Sequence, residues 1–143
     1  MTMTGLEVFD RAVHKANDWL KDIMYELNTE DRHRAYLALR ATLHALRDRL
    51  MPEEAVDLGA QLPMLVRGFY YEGWKPSDKP LRERKKEDFL AHIREQFLPG
   101  EIDAETVARA IFKLLAHRIS KGEVRDVTGM LPQEIADLWP HKP

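Results

Sequence analysis

The chain has 143 residues, 44% of them apolar and 32% charged, the composition of a globular protein of about one domain and not of a disordered chain. Its 22 basic and 24 acidic residues leave a net charge of −2. No excess of lysine and arginine exists to drive non-specific nucleic-acid binding, and there is no cysteine for disulfides, thiolate metal sites or cysteine nucleophiles.

The opening MTMTGLEVFD lacks the basic and apolar regions of a signal peptide, and no stretch approaches the roughly 18 apolar residues of a membrane span. A cytoplasmic protein is expected. Helical periodicity begins at once. Leu6, Phe9, Val13, Ala16, Leu20, Ile23 and Leu27 recur at three- and four-residue steps, the seam of a packed helix. Thr4 reads as its N-cap, with Glu7 completing a capping box. After a polar break at 28–31, Tyr36, Leu39, Leu43, Leu46 and Leu50 mark a second helix. Pro52 suits the first turn of a third, Gly59 its end, and Pro63 opens a fourth that runs into Phe69, Tyr70 and Tyr71. Two prolines and a glycine make 73–81 a connecting loop.

The chain then repeats itself. At a shift of 69 positions, without a gap, residues 35–70 lie on 104–139. Identical pairs include Ala35/Ala104, Arg40/Arg109, Leu46/Leu115, Arg49/Arg118, Glu54/Glu123, Asp57/Asp126 and Pro63/Pro132. Ser120 and Glu123 supply a capping box where Pro52 starts the first copy. The expected fold is all-α, a single helical domain formed by two similar four-helix units. Unit one covers about 5–72 and unit two about 82–140. A unit of about 70 residues is marginal alone, so the two should share one core. Residues 107–119 are apolar almost all round and belong at its centre, whereas the counterpart in the first half has one wide stripe.

Few residues point to chemistry. Arg49 with Asp57, and Arg118 with Asp126, are expected to form structural ion pairs bracing a helix–turn–helix in each half. His14/Asp18 and His44/Asp48 have the one-face spacing of helical ligand pairs. There is no HExxH, however, and the remaining histidines form no cluster. No phosphate loop or nucleophile elbow occurs, so no catalytic residue, cofactor or metal ligand is indicated. Ala55 and Gly59 have helix-turn-helix spacing, but the candidate recognition helix, 63–69, offers a single cation and is too apolar to read bases.

Two surfaces remain as interaction candidates. Tyr71, Glu72 and Trp74 have no counterpart in the second half, and aromatics mark both core anchors and binding surfaces. Leu6, Phe9 and Val13 carry the apolar seam into an addition to the basic unit, because residues 5–15 shift onto a proline-broken stretch. That helix either packs on the chain's own second half or meets a second copy in a homodimer.

The run from Gln61 through Leu62, Pro63 and Phe69 to Tyr71-Glu72-Gly73-Trp74, with Leu131-Pro132 and Leu138-Trp139-Pro140, resembles a bacterial family of uncharacterised proteins. It is the domain-of-unknown-function family numbered twenty-two sixty-seven. The resemblance covers nearly the whole chain and implies a small helical protein with no assigned activity. The expected function is a non-enzymatic, self-associating helical interaction or scaffold protein. The alternative is an enzyme or small-ligand binder using Tyr71–Trp74, and the third reading is helix-turn-helix-like DNA binding.

Overall fold

The periodic segments fold as helices. In the computed structural model, which describes residues 3–98 and 100–140, the order is α1 (Glu7–Glu26), α2 (Arg32–Arg47), α3 (Pro52–Ala60), α4 (Met64–Tyr71), α5 (Lys86–Arg94), α6 (Ala104–Arg118), α7 (Lys121–Met130) and α8 (Gln133–Ala136). A 3-10 turn at Pro76–Asp78 interrupts the connecting loop, and the described residues contain no strand. None of these helices is long and apolar enough to cross a membrane.

Local chemistry explains most of the helix starts. Asp31 and Asp103 accept from the amides of Arg34 and Thr106 at 3.2 Å, so α2 and α6 begin on aspartate caps. Pro52 is the first residue of α3, and Pro63 and Pro132 precede α4 and α8 with the extended backbone of an N-cap. α3 and α7 start 69 residues apart, at Pro52 and Lys121, and so do α4 and α8, at Met64 and Gln133. α1 departs from expectation. Its N-cap is Leu6, and Thr4 instead turns onto Asp10, whose Oδ1 accepts from the Thr4 amide at 2.9 Å and its hydroxyl at 2.8 Å. With the helix starting after Leu6, the Thr4/Glu7 capping box does not form. Gly59 does not end α3 either, which continues to Ala60. A Cβ at Gly59 would overlap the Tyr71 hydroxyl, so glycine is what lets Tyr71 lie across the helix.

One apolar cluster takes side chains from all eight helices. Val107, Ala108, Ile111, Phe112 and Leu115 bury α6 at its centre, as the sequence implies. The single wide stripe read for α2 understates its burial. The helix buries nine residues to the eight of α6, and packs against α1, α4, α5 and α6. The cause is its alanines. Ala35, Ala38, Ala41 and Ala45 cover faces that read as weakly apolar, and their small size lets neighbouring helices close over them.

Short helices leave C-terminal carbonyls without intrahelical partners, and two arginines satisfy some of them, Arg47 from a buried position and Arg67 from the surface. The Arg47 side chain is 5% exposed. Its Nη1 donates to Tyr70 O at 2.7 Å and Glu72 O at 2.9 Å, and its Nε to Asp48 Oδ1 at 2.9 Å, fastening the end of α4 to α2. Arg67 donates to Gly59 O, Ala60 O and Leu62 O at 2.9, 3.3 and 2.8 Å, closing the end of α3. Arg47→Met orphans two carbonyls and a carboxylate, and is expected to cost on the order of 2–4 kcal/mol by urea denaturation. Arg40→Met removes only the solvated bridge to Glu72 and the contact to Gln96, and should cost less than about 1 kcal/mol.

Candidate functional site

The arginines of the two expected ion pairs are committed elsewhere. Arg49 Nη2 lies 3.1 Å from Glu83 Oε1, and its Nη1 donates to the Glu83 carbonyl. Its guanidinium sits over the Phe89 ring, 5.7 Å from the centroid. Arg118 reaches back to α1, with Nε and Nη2 at 3.1 and 2.5 Å from Asp22 Oδ2 and its guanidinium over Trp19. Neither meets Asp57 or Asp126 within ion-pair distance. The physical reason is reach: Arg49 lies beyond the end of α2, and Arg118 ends α6. Each extends to a separate element with an aromatic platform, while the aspartates stand on exposed faces of α3 and α7.

Those aspartates belong to a different assembly. α3 and α7 pack antiparallel. The Ser120 amide at the start of α7 donates to Gln61 Oε1 at the end of α3, at 3.0 Å, and the Met51 amide at the start of α3 points at Met130 Sδ, at 3.2 Å. Glu54 and Asp57 lie three residues apart on α3, and Glu123 and Asp126 three apart on α7, so each pair shares a helix face. Carboxylate oxygens of Glu54, Glu123 and Asp126 all fall within 4.8 Å of one another. The Ser120/Glu123 capping box closes only halfway. Ser120 Oγ accepts from the Glu123 amide at 3.1 Å, but the Ser120 amide is taken by Gln61. The Glu123 carboxylate is therefore not drawn back to the cap and turns into the helix seam.

Glu123 is 8% exposed there, and its Oε2 and that of Glu54 are buried without a hydrogen-bond donor. Burial raises the Glu123 carboxyl first, then the contact with Glu54, then the charges of Glu54, Asp57 and Asp126; together they push it up to about 8. The hydrogen bond open to this pair is a proton shared between Glu123 and Glu54. Among the described residues these carboxylates are the group close enough to surround an ion, and no histidine joins them. The sequence carried a signal for this site: Glu54/Glu123 and Asp57/Asp126 are identical pairs in the 69-residue shift. Reading the aspartates as partners of arginine hid it.

The other candidates take different roles. Tyr71 packs edge-on to Tyr70 and lies 5.5 Å from the Trp74 ring, and Trp74 rests half-buried against the core. Glu72 is exposed and bridges Arg40 at 3.5 Å. This arrangement holds the connecting loop down. Leu6 and Phe9 are 49% and 52% exposed and Val13 is half-buried, so the chain's own second half does not cover the start of α1. His44 Nε2 donates to Phe69 O at 2.6 Å, and burial holds its pKa below the usual histidine value. Arg67, the lone cation of the candidate recognition helix, is tied to carbonyls as described; His141 lies outside the described residues.

The family profile described as "Uncharacterized conserved protein (DUF2267)" matches residues 16–138. The chain belongs to this family. No functionally curated protein matches it. The match takes in every residue of the carboxylate cluster and the Tyr71–Trp74 segment, and it begins at Ala16, inside α1, so the first turns of that helix lie outside it.

The cluster has a pH signature. Well below the usual glutamate range, folded and unfolded chains both hold the Glu123 proton. As pH rises towards about 8 the unfolded chain releases it first, so the stability contributed by the protonated group is lost across that interval. Glu123→Gln removes this dependence. In chelator-containing buffer, urea denaturation should show the variant gaining on the parent between about pH 5 and pH 8, by on the order of 1–3 kcal/mol. His44 acts in the opposite sense at the acid end and cancels in the difference.

Proposed function

We propose that the protein is a non-enzymatic helical interaction module that associates with a second copy of itself through the start of α1. The observation that supports this reading is the overhang of that helix. A 20-residue helix is about 30 Å long, yet its buried residues, Trp19 and Ile23, both lie in its second half. The apolar arc that these residues bury continues towards the N-terminus as Phe9, Val8 and Leu6, each 43–52% exposed. Leaving side chains half in water forgoes about half of the 1.5–3 kcal/mol that full burial gives, on the order of 1 kcal/mol apiece.

A second copy fits better than an unrelated partner for two reasons. The overhang carries Glu7 and Asp10 beside Arg11 and Lys15, so the surface is charge-balanced and does not repel its own copy. Next to it lies a cleft of about 460 Å³ lined by Val8, Ala12, Trp19, Leu62, Met64 and Arg118. Projecting apolar side chains beside a receiving cleft on one face are what an isologous two-fold contact requires. The 69-residue relation of the two halves belongs to the same reading: the shared unit builds the core, and the added turns of α1 serve association.

Light scattering and sedimentation of the full chain at micromolar concentration should report a dimer. Phe9→Glu combined with Leu6→Glu should give a monomer with unchanged circular dichroism and a Tm that no longer depends on protein concentration. A parent protein that is already monomeric under these conditions overturns the proposal.

A further inference from the structure

We propose that Glu54, Glu123 and Asp126, where α3 crosses α7, bind a single divalent cation of the hard, oxygen-seeking class, and that Asp57 completes the negative field around it. The site is independent of the association surface on α1.

Three observations converge. The first is geometric. Oxygens on opposite sides of a calcium-sized cation, each at about 2.4 Å, stand about 4.8 Å apart, and the three carboxylates offer oxygens within 4.8 Å of one another. The second is the state of Glu123. It is 8% exposed, projects into the cluster, and ends in a buried Oε2 that no donor reaches. A buried carboxylate without a partner is costly, and it is relieved either by a proton or by a cation. The third is the distribution of charge. The described residues hold ion pairs throughout the molecule, yet none involves Glu54, Asp57, Glu123 or Asp126. Lys121 and Arg125 stand exposed on α7 itself and do not pair with them. Four carboxylates at one helix crossing with no positive group bound to any of them form a site whose missing partner is a cation.

The donor set narrows the ion. All the ligands are carboxylate oxygens, with neither imidazole nor thiolate, which favours calcium, magnesium or manganese over zinc or copper. Asp126 is exposed, so that side is open to the water ligands these ions retain, while Glu123 closes the inner side. A bound cation would tie α3 to α7.

The test uses the full-length protein stripped with chelator and titrated separately with Ca²⁺, Mg²⁺ and Mn²⁺. At least one ion should give a saturable calorimetric signal for one site per chain and a saturable rise in Tm. Mn²⁺ should broaden amide resonances of α3 and α7 selectively. Glu123→Gln, nearly isosteric, and Asp126→Asn, at an exposed position, should each weaken binding on the order of tenfold or more while the circular dichroism is unchanged. The absence of a saturable response to all three ions at millimolar concentration overturns the proposal, as does binding that both variants leave intact.

Discussion

The structure depends on two helices, α2 and α6, that are buried on nearly every side; the long α1 covers part of both, and the rest falls to elements too short to cover them neatly. The covering helices α3, α4, α5, α7 and α8 have 4 to 10 residues each. In helices that short, nearly every residue is close to an end, and many carbonyls lack an intrahelical partner. Arg47 and Arg67 resolve this for α4 and α3 by spreading one guanidinium over two or three carbonyls. A lysine could not do the same, since its ammonium is a compact point donor without the planar fork. The tyrosines contribute in a similar way, with the buried Tyr70 hydroxyl donating to Ala55 O at 2.6 Å across α3.

That use of arginine shapes the electrostatics of the rest. Arg47 and Arg67 are spent on backbone, Arg49 on the loop at Glu83 and Arg118 on α1 at Asp22. No cation among the described residues pairs with the carboxylates at the crossing of α3 and α7. The half-closed cap at Ser120 contributes as well. Had the Ser120 amide been free, Glu123 could have folded back onto it, and the seam would have held one carboxylate fewer.

The proposed association surface and the carboxylate crossing lie on different helices. The start of α1 offers apolar area that lies outside the family match, whereas the crossing lies wholly within it. A change at one should leave the other intact.

Periodicity, caps and prolines made the helices legible in the sequence: Pro52 and Pro63 start helices where expected, and residues 107–119 lie at the centre. These signals are local, set by backbone geometry and by which face of a helix is apolar, so no knowledge of neighbours is needed. The alanine-lined burial of α2 was not legible, because a small side chain reads as neutral until a neighbour closes on it. Neither was the role of Gly59, which depends on where Tyr71 lands. The partners of Arg49 and Arg118 could not be read either, since a long side chain has several carboxylates within reach and only the packing selects one. The four acidic residues were visible as repeated positions, but that Glu54, Glu123 and Asp126 face one another is decided by the antiparallel crossing of two helices more than sixty residues apart in the chain. Local patterning specified which residues could be buried; tertiary contact alone decided which charges would be left without a partner.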